Sequence, residues 1–373
     1  MQADLKHRQI FRELSNEIAD GKYRESGRLP SENQLVKRFG VSRPTVARAL
    51  RDLQAAGLIE RRAGAGSFLV DNPVGVPKAP DHHLLALLIP RAGLTEIFEV
   101  ICGELAGLAR AKNCSLIWGG SGVHVRPEND ISVEDVDHIC EEFIDRAVNG
   151  VFFAPFELRE NTAPISERIA QRLRQAGIAV VLLDRDFQSF PQRSDFDLVG
   201  LDNYAAGFLL AEHLIRLGQT RLTFVARPFS ACTITARIAG AKEALARAGI
   251  PIPEGFARFG DPEDTAFVRN LVAGKSVDGI LCGNDATAVQ LLNTLAKIKV
   301  RVPEDIRVVG CDDVRYAKLV REPLTTINQP CRAIAVAAMT AMLERIADPT
   351  LPARSILLNP KLTVRSSCGA YLH

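Results

Sequence analysis

Hydrophobic positions follow two different rhythms along this chain. In roughly the first 70 residues they recur three and four apart, the spacing of one helix face. Ile10, Leu14 and Ile18 line one such face, and Leu35 and Phe39 a second. Val46, Ala49, Leu50 and Leu53 give a third, at i, i+3, i+4 and i+7. The punctuation agrees with the period. Ser31 and Gln34 have the spacing of a capping box, and Gly40 stands where a helix needs a residue tolerant of positive φ. Ser42 caps again, with Pro44 in the first turn where its missing N–H costs nothing, and Gly57 ends the helix. Leu58-Ile59 and Phe68-Leu69-Val70 then flank a turn marked by Gly64 and Gly66, which predicts a hairpin. The head therefore reads as three helices and a two-stranded wing.

After "DNPVGVPKAPDHH", with three prolines and no helical period, the rhythm changes. Unbroken apolar runs of strand length begin at 84, 115, 150, 179, 197, 222, 279 and 306. Helical segments fall between them, near 96–112, 133–148, 164–176, 203–217, 236–248, 262–273, 285–298 and 332–347. Unbroken rather than alternating runs predict parallel strands covered on both faces. Alternating β and α segments predict a doubly wound α/β fold, and this many units exceed one domain. The division expected is a head at 1–72, a linker at 73–83 and a two-lobed body at 84–373. Lobe 1 would take about 84–190 and 331–350, and lobe 2 about 195–328 and 351–373.

Charge sharpens the contrast between head and body. Residues 1–72 hold 13 Lys and Arg against 9 Asp and Glu, while the remainder holds 33 against 35. A basic head on a near-neutral body points to a polyanion partner for the head alone. No apolar run approaches the ~20 residues of a membrane helix, and the charged N-terminus does not read as a secretory signal, so a cytoplasmic location is expected. Eight cysteines lie at 102, 114, 140, 232, 282, 311, 331 and 368, none at C-x-x-C spacing and none with a His at a zinc interval. Reduced, structural cysteines and no metal are expected.

Arg43, Thr45, Arg48 and Arg51 crowd the side of the third helix opposite its apolar stripe. A recognition helix in a major groove uses its N-terminal residues on base edges, where Arg forks onto guanine and Thr offers a hydroxyl and a methyl. Arg61 and Arg62 flank the wing turn, where phosphates would meet them. Several strands of the body end in polar residues: Asp184 to Asp186, Asn284-Asp285 and Asp312-Asp313. In open α/β sheets ligands bind beyond the carboxyl ends of the strands. Each of these residues alone has the plainer reading of a helix cap.

Residues 4–70, through "GRLPSENQLVKRFGVSRPTVARALRDLQAAGLIERRAGAGSFLV" and the helix before it, resemble the GntR-type winged helix-turn-helix of bacterial regulators. The resemblance implies that Arg43, Thr45 and Arg48 read bases. It further implies that Ser31, Ser42, Arg61, Arg62 and the Gly64–Gly66 wing hold the DNA backbone or minor groove. The body resembles the effector domain of LacI/GalR repressors, the type I periplasmic sugar-binding fold. That likeness is carried by "DNYAAGFLLAEHLIRLGQTRLTFV", "ARIAGAKEAL", "GILCGNDATAVQLLNTLAKIKVRVPEDIRVVGCDDV" and "PLTTINQP". It implies that Phe98, Asp184, Arg237, Asn284, Asp312 and Gln329 face a ligand, with Ile97 the alternative to Phe98. The first-strand region "IPRAGLTEIFEVI" lacks the usual Asn-Pro-aromatic signature.

Such side chains suit a polyol: carboxylates and amides bridge hydroxyls, and a guanidinium spans two of them. Arg91, Arg185 and Arg237 leave a sugar acid or a sugar phosphate open. The function expected is a ligand-controlled DNA-binding repressor, similar to the arabinose-responsive repressors. Its partners would be a pseudo-palindromic operator in double-stranded DNA, a sugar-like effector and a second copy of the chain. No cofactor and no catalytic residue are expected. An aminotransferase-like body would need a Schiff-base lysine at a strand end, whereas Lys275, Lys297 and Lys299 fall in or beside helices. A transport binding protein does not account for the winged head.

Overall fold

The computed structural model describes residues 26–55, 58–62, 66–69, 82–89, 96–119 and 133–372, with scattered positions between 7 and 23. The chain divides into two compact units, Met1–Asp81 and His82–His373. Gly57, Gly64, Arg91 and most of the linker lie outside the described residues.

In the first unit α1 (Glu32–Phe39) and α2 (Arg43–Ala55) are joined by a tight turn, and β1 (Ile59–Arg62) pairs antiparallel with β2 (Gly66–Leu69). The Ser31 side chain accepts the Gln34 N–H while the Gln34 side chain returns to the Ser31 backbone, so the capping box forms. Gly40 ends α1 at φ 59°, a conformation that costs glycine nothing. Leu35, Val46, Ala49, Leu50 and Leu53 are buried with Ile10, Leu14 and Ile59. The apolar face expected from the spacing is thus the core of the head. Arg61 and Arg62 are the last two residues of β1, and Arg62 pairs with Gly66 at the edge of the turn.

The second unit contains two six-stranded sheets. One has the order β13-β7-β6-β5-β3-β4: Ser355–Leu358, Asp197–Leu201, Ala179–Leu183, Gly150–Phe153, His83–Leu88 and Cys114–Trp118. All of its pairings are parallel. The other has the order β14-β12-β11-β10-β8-β9: Lys361–Thr363, Thr325–Asn328, Arg307–Asp312, Gly279–Cys282, Leu222–Ala226 and Ala257–Phe259. Only its edge strand β14 runs antiparallel to its neighbour. Neighbouring residues of one strand feed different cores. Leu85 and Leu87 pack with the helix Cys331–Ala347, and Ala86 and Leu88 with the helices Val133–Asp145 and Thr162–Gln175. Apolar runs are unbroken because both faces are covered.

The lobe boundaries differ from the sequence reading. Strands β7 and β13, which it gave to lobe 2, complete the first sheet. The chain therefore crosses between lobes three times, at Asp202, at Gln329-Pro330 and at Asn359-Pro360. The sequence around 202 and 359 carries no mark of the crossing, because a strand has the same apolar pattern in either lobe. Strands β9, β12 and β14, three or four residues long, had no apolar run to announce them, and that of β13 is only the three residues Ile356 to Leu358.

Candidate functional site

In the head, Ser42, Arg43 and Arg48 are exposed, and Thr45 is half-buried. The cap of α2 differs in detail from expectation: the Ser42 hydroxyl meets the Thr45 hydroxyl at 2.8 Å, and the Ser42 carbonyl accepts from Thr45 and Val46. Glu32, at the start of α1, joins the elements. Its carboxylate accepts from Arg43 of α2 at 3.3 Å and from Arg61 of β1. Arg62 is exposed, pairs with Glu60 at 3.1 Å, and lies over the Phe68 ring. A second network fixes the helix pair from behind. Arg38 donates to Glu17 and Glu13, and holds the Glu17 carboxyl down at about 2. Arg43 and Arg61 thus meet on one carboxylate, that of Glu32.

In the second unit a cavity of about 360 Å³ opens between the two lobes. Asp184, Arg237, Asn284, Asp312 and Gln329 all line it. Parallel strands bring them together: Asp184 follows β6, Asn284 follows β10, Asp312 ends β11 and Gln329 follows β12. Asp184 and Asp312 have φ of 68° and 129°, so each carboxylate leaves its strand through a left-handed backbone. Arg237 lies in the second turn of the helix Cys232–Arg247, one turn later than the sequence suggested. Gly207 and Gly240 let that helix meet the helix Asn203–Arg216: a Cβ on Gly207 would stand 1.9 Å from the Arg237 carbonyl oxygen. Arg237 is consequently held from its own lobe. Its Nε donates to Asn203 Oδ1 at 2.8 Å, one terminal nitrogen donates to the Gly283 carbonyl, and the other lies 4.0 Å from Asp312 Oδ1.

Phe98 does not line the cavity. It is fully buried, beneath the Arg185 guanidinium at 5.3 Å from its ring, while Ile97 faces the cavity. One helical step separates the two, and the sequence offers two adjacent apolar residues with nothing to choose between them. Phe156 lines the cavity as its aromatic wall. Glu157, also unforeseen, accepts from Arg185 through Oε1 and from the Ala231 N–H of the other lobe at 3.3 Å through Oε2. Thr233, Thr287, Arg227 and Gln290 also belong to the polar lining, with Arg159, Thr162, Arg185 and Ser230. These residues sit on loops and helix starts whose register follows from the tertiary fold, and no local motif marks them.

Burial raises the pKa of Asp184 and of Asp312 above the ordinary carboxylate range, with nearby guanidiniums opposing it. Two buried atoms of this lining have no hydrogen-bond partner, Asp184 Oδ1 and Gln329 Oε1. The Gln329 amide nitrogen donates to Asp312 Oδ1 at 3.0 Å, which fixes the amide with its oxygen free. Asn284 spends its side-chain oxygen on capping the helix Asp285–Lys297, through the Thr287 N–H at 2.9 Å. Among the described residues no group of His, Cys, Asp and Glu could hold a metal ion, and no helix is long and apolar enough to cross a membrane. Six cysteines are buried and two, Cys232 and Cys331, are half-buried, all unpaired.

Fold and cleft together define a winged helix-turn-helix joined to a two-lobed periplasmic-binding-type domain. Comparison with known proteins gives the same two parts: residues 6–69 match the family of bacterial regulatory proteins, gntR family, and residues 211–368 match the periplasmic binding protein-like domain. The ribose operon repressor of Escherichia coli strain K12 is 33% identical over 48% of this chain and 55% of its own length. The chain spans little more than half the length of that relative. The arabinose metabolism transcriptional repressor of Halalkalibacterium halodurans is 24% identical over 98% of this chain and 96% of its own. Among solved structures, transcription regulator CcpA of Lactococcus lactis superposes with a TM-score of 0.64 at 19% identity, over 77% of this chain and 99% of that one. A CelR-cellobiose complex reaches 0.64 at 22% identity, over 88% and 91%.

Proposed function

We propose that this chain is a DNA-binding transcriptional repressor whose affinity for its operator is set by a sugar-like effector bound between the lobes of the second unit. The observation that carries the reading is the pair of buried, unpartnered acceptors, Asp184 Oδ1 and Gln329 Oε1, in an interlobe cavity on a chain whose head is a winged helix. Buried polar atoms without partners are rare in native folds and mark a place that something else completes. In this reading Asp184, Arg237, Asn284, Asp312 and Gln329 face the effector, Ile97 replaces Phe98 as its apolar neighbour, and Phe156 packs on its C–H face. Arg43, Thr45 and Arg48 read bases, while Ser31, Ser42, Arg61, Arg62, Gly64 and Gly66 hold the backbone or the minor groove. The protein acts in the cytoplasm as a homodimer on a pseudo-palindromic site, because a single helix-turn-helix reads too few base pairs alone. It has no catalytic step: the effector shifts an equilibrium only through its different affinity for open and closed lobes.

A thermal-shift screen of the full chain against sugars tests the cleft half of the reading. A sugar at 100 times its dissociation constant should stabilise the domain by about 2.7 kcal/mol. Selection of a duplex from a random pool tests the other half. Recovery of no preferred sequence would contradict it.

A further inference from the structure

One acid joins three elements of the head. Glu32 opens α1, directly after the Ser31 cap, where a carboxylate is favoured by the helix dipole. Arg43 opens α2, and Arg61 lies in β1. Both arginines reach the same carboxylate: Arg43 Nε donates to Oε2 at 3.3 Å, and a terminal nitrogen of Arg61 donates to Oε1. The Glu32 side chain is 23% exposed, whereas that of Arg43 is 71% exposed.

The two arginines stand differently. Side chains alternate along a strand, so Arg61 shares the inward side of β1 with Ile59, and Arg62 the outward side with Glu60. Arg61 is half-buried, and its cross-strand partner Ser67 is buried. Arg61 thus holds Glu32 from the wing. Arg43 meets the carboxylate through Nε, and its two terminal nitrogens carry no bond to a described residue. With Nε tied, the plane of the guanidinium is set and the edge formed by the terminal nitrogens stays open. That edge can fork onto guanine O6 and N7. A side chain already held in place loses less freedom on binding than one ordered from solvent. One carboxylate against two guanidiniums leaves the junction cationic, yet cancels a charge that would otherwise meet any phosphate.

We propose that Glu32 is a positioning residue for sequence reading: it sets the Arg43 guanidinium for a base edge and withholds positive charge from indiscriminate phosphate contact. This rests on the reading of Arg43 as a base-reading residue. Both Glu32 oxygens already accept from arginine, so the acid acts through Arg43 rather than on a base itself. Removing its charge should therefore strengthen binding to any DNA while weakening discrimination, a split that a purely structural ion pair does not give.

The test is fluorescence anisotropy of the full chain on a duplex selected from a random pool and on a scrambled duplex of the same length, at several salt concentrations. Glu32→Gln keeps the shape, loses the charge and turns amide hydrogens towards one arginine. The expected result is a selected-to-scrambled affinity ratio about tenfold lower, with tighter binding of the scrambled duplex and a salt slope there steeper by about one. In the Arg43→Ala background the same substitution should lower the ratio no further, because its route is gone. A Glu32→Gln chain that melts early and weakens on both duplexes alike has lost a structural ion pair, and overturns the inference. An unchanged ratio, or an equal fall with and without Arg43, overturns it too; each of these leaves the DNA reading standing. A parent chain that prefers no duplex overturns the DNA reading, and the inference falls with it.

Discussion

The Leu158 N–H donates to the Phe229 carbonyl at 2.7 Å, tying a loop of the first lobe to a loop of the second beside the cavity. Both residues sit in the left-handed region, at φ 62° and 56°. Non-glycine residues there cost free energy that their surroundings must offset. The adjoining Glu157 carboxylate makes the second tie, to the Ala231 N–H. The Arg315 N–H adds a tie to the Glu96 carboxylate at 2.7 Å, and Cys232 Sγ donates across to the Asp186 carbonyl at 3.2 Å, so Glu157, which also neutralises Arg185, is one of several ties between the lobes.

Replacing Glu157→Ala should loosen that closure. We expect effector affinity to fall about tenfold, as loss of a hydrogen bond to a charged group would give. The effector-bound domain should also scatter X-rays with a larger radius of gyration. An unchanged radius with unchanged affinity would show that the tie does not hold the lobes.

Gly207→Ala would place a methyl 1.9 Å from the Arg237 carbonyl oxygen, inside van der Waals contact with backbone that cannot swing away. The two helices must separate, and Arg237 must move from Asn203. Overpacking of this kind typically costs about 1–3 kcal/mol. Melting temperature and effector affinity should drop together. A variant that melts and binds as the parent does would mean that the helix contact is not what positions Arg237.

Arg237→Ala is expected to lower stability as well as to abolish the effector response. The guanidinium is buried and lies between Asp312 and the Gly283 carbonyl, so its loss leaves carboxylates buried without their cation. Breaking such a pair costs about 3–5 kcal/mol. Denaturant unfolding of the second unit reads the loss directly. A parental midpoint with a lost response would make Arg237 a ligand contact alone.

The pH dependence follows from the same buried acids. Burial, then the neighbouring Asp312, raises the Asp285 pKa, and burial raises that of Asp312. Unfolding returns both to the ordinary carboxylate range near 4. Between that range and the raised folded values the native state binds more protons, so stability should fall as pH rises towards neutrality. Asp285→Asn should flatten part of that slope. In the head the sign reverses: Arg38 holds Glu17 at about 2, so its contribution is present above the ordinary range and is lost as pH falls from near 4 towards 2. Melting curves at several pH values resolve the two, and a second unit that gains stability on raising pH would contradict the first claim.

Much of this was legible in residue spacing. Leu35, Val46, Ala49, Leu50 and Leu53 are apolar at helical intervals and form the head's core, because a helix that must bury one face writes its period into the chain. Asp184, Asn284 and Asp312 stand at the ends of apolar runs, and a parallel sheet brings such ends to one edge. Glu157, Phe156 and the choice of Ile97 over Phe98 were not legible. Each depends on how a loop or a helix is rotated against a distant element, which no local pattern records. The same is true of the lobe assignment of β7 and β13, whose partners are separated from each other by over 150 residues of sequence.

On DNA, Arg48→Ala should cost about 1–3 kcal/mol on the selected duplex and relax specificity, while Arg62→Ala should weaken all duplexes alike and reduce the salt slope by about one. Titrations on selected and scrambled duplexes at several salt concentrations separate them. Equal losses on both duplexes for Arg48→Ala would remove it from the base-reading set.

The central claim joins cleft to head, and one titration tests it most directly. Fluorescence anisotropy of the selected duplex with the full chain should be followed as a sugar that stabilises the second unit is added, with the Asp184→Asn variant in parallel. DNA affinity should change with a midpoint equal to the sugar's own dissociation constant, and the variant's midpoint should move with its weakened sugar binding. A duplex affinity that stays constant while calorimetry shows the cleft to be saturated would contradict the account.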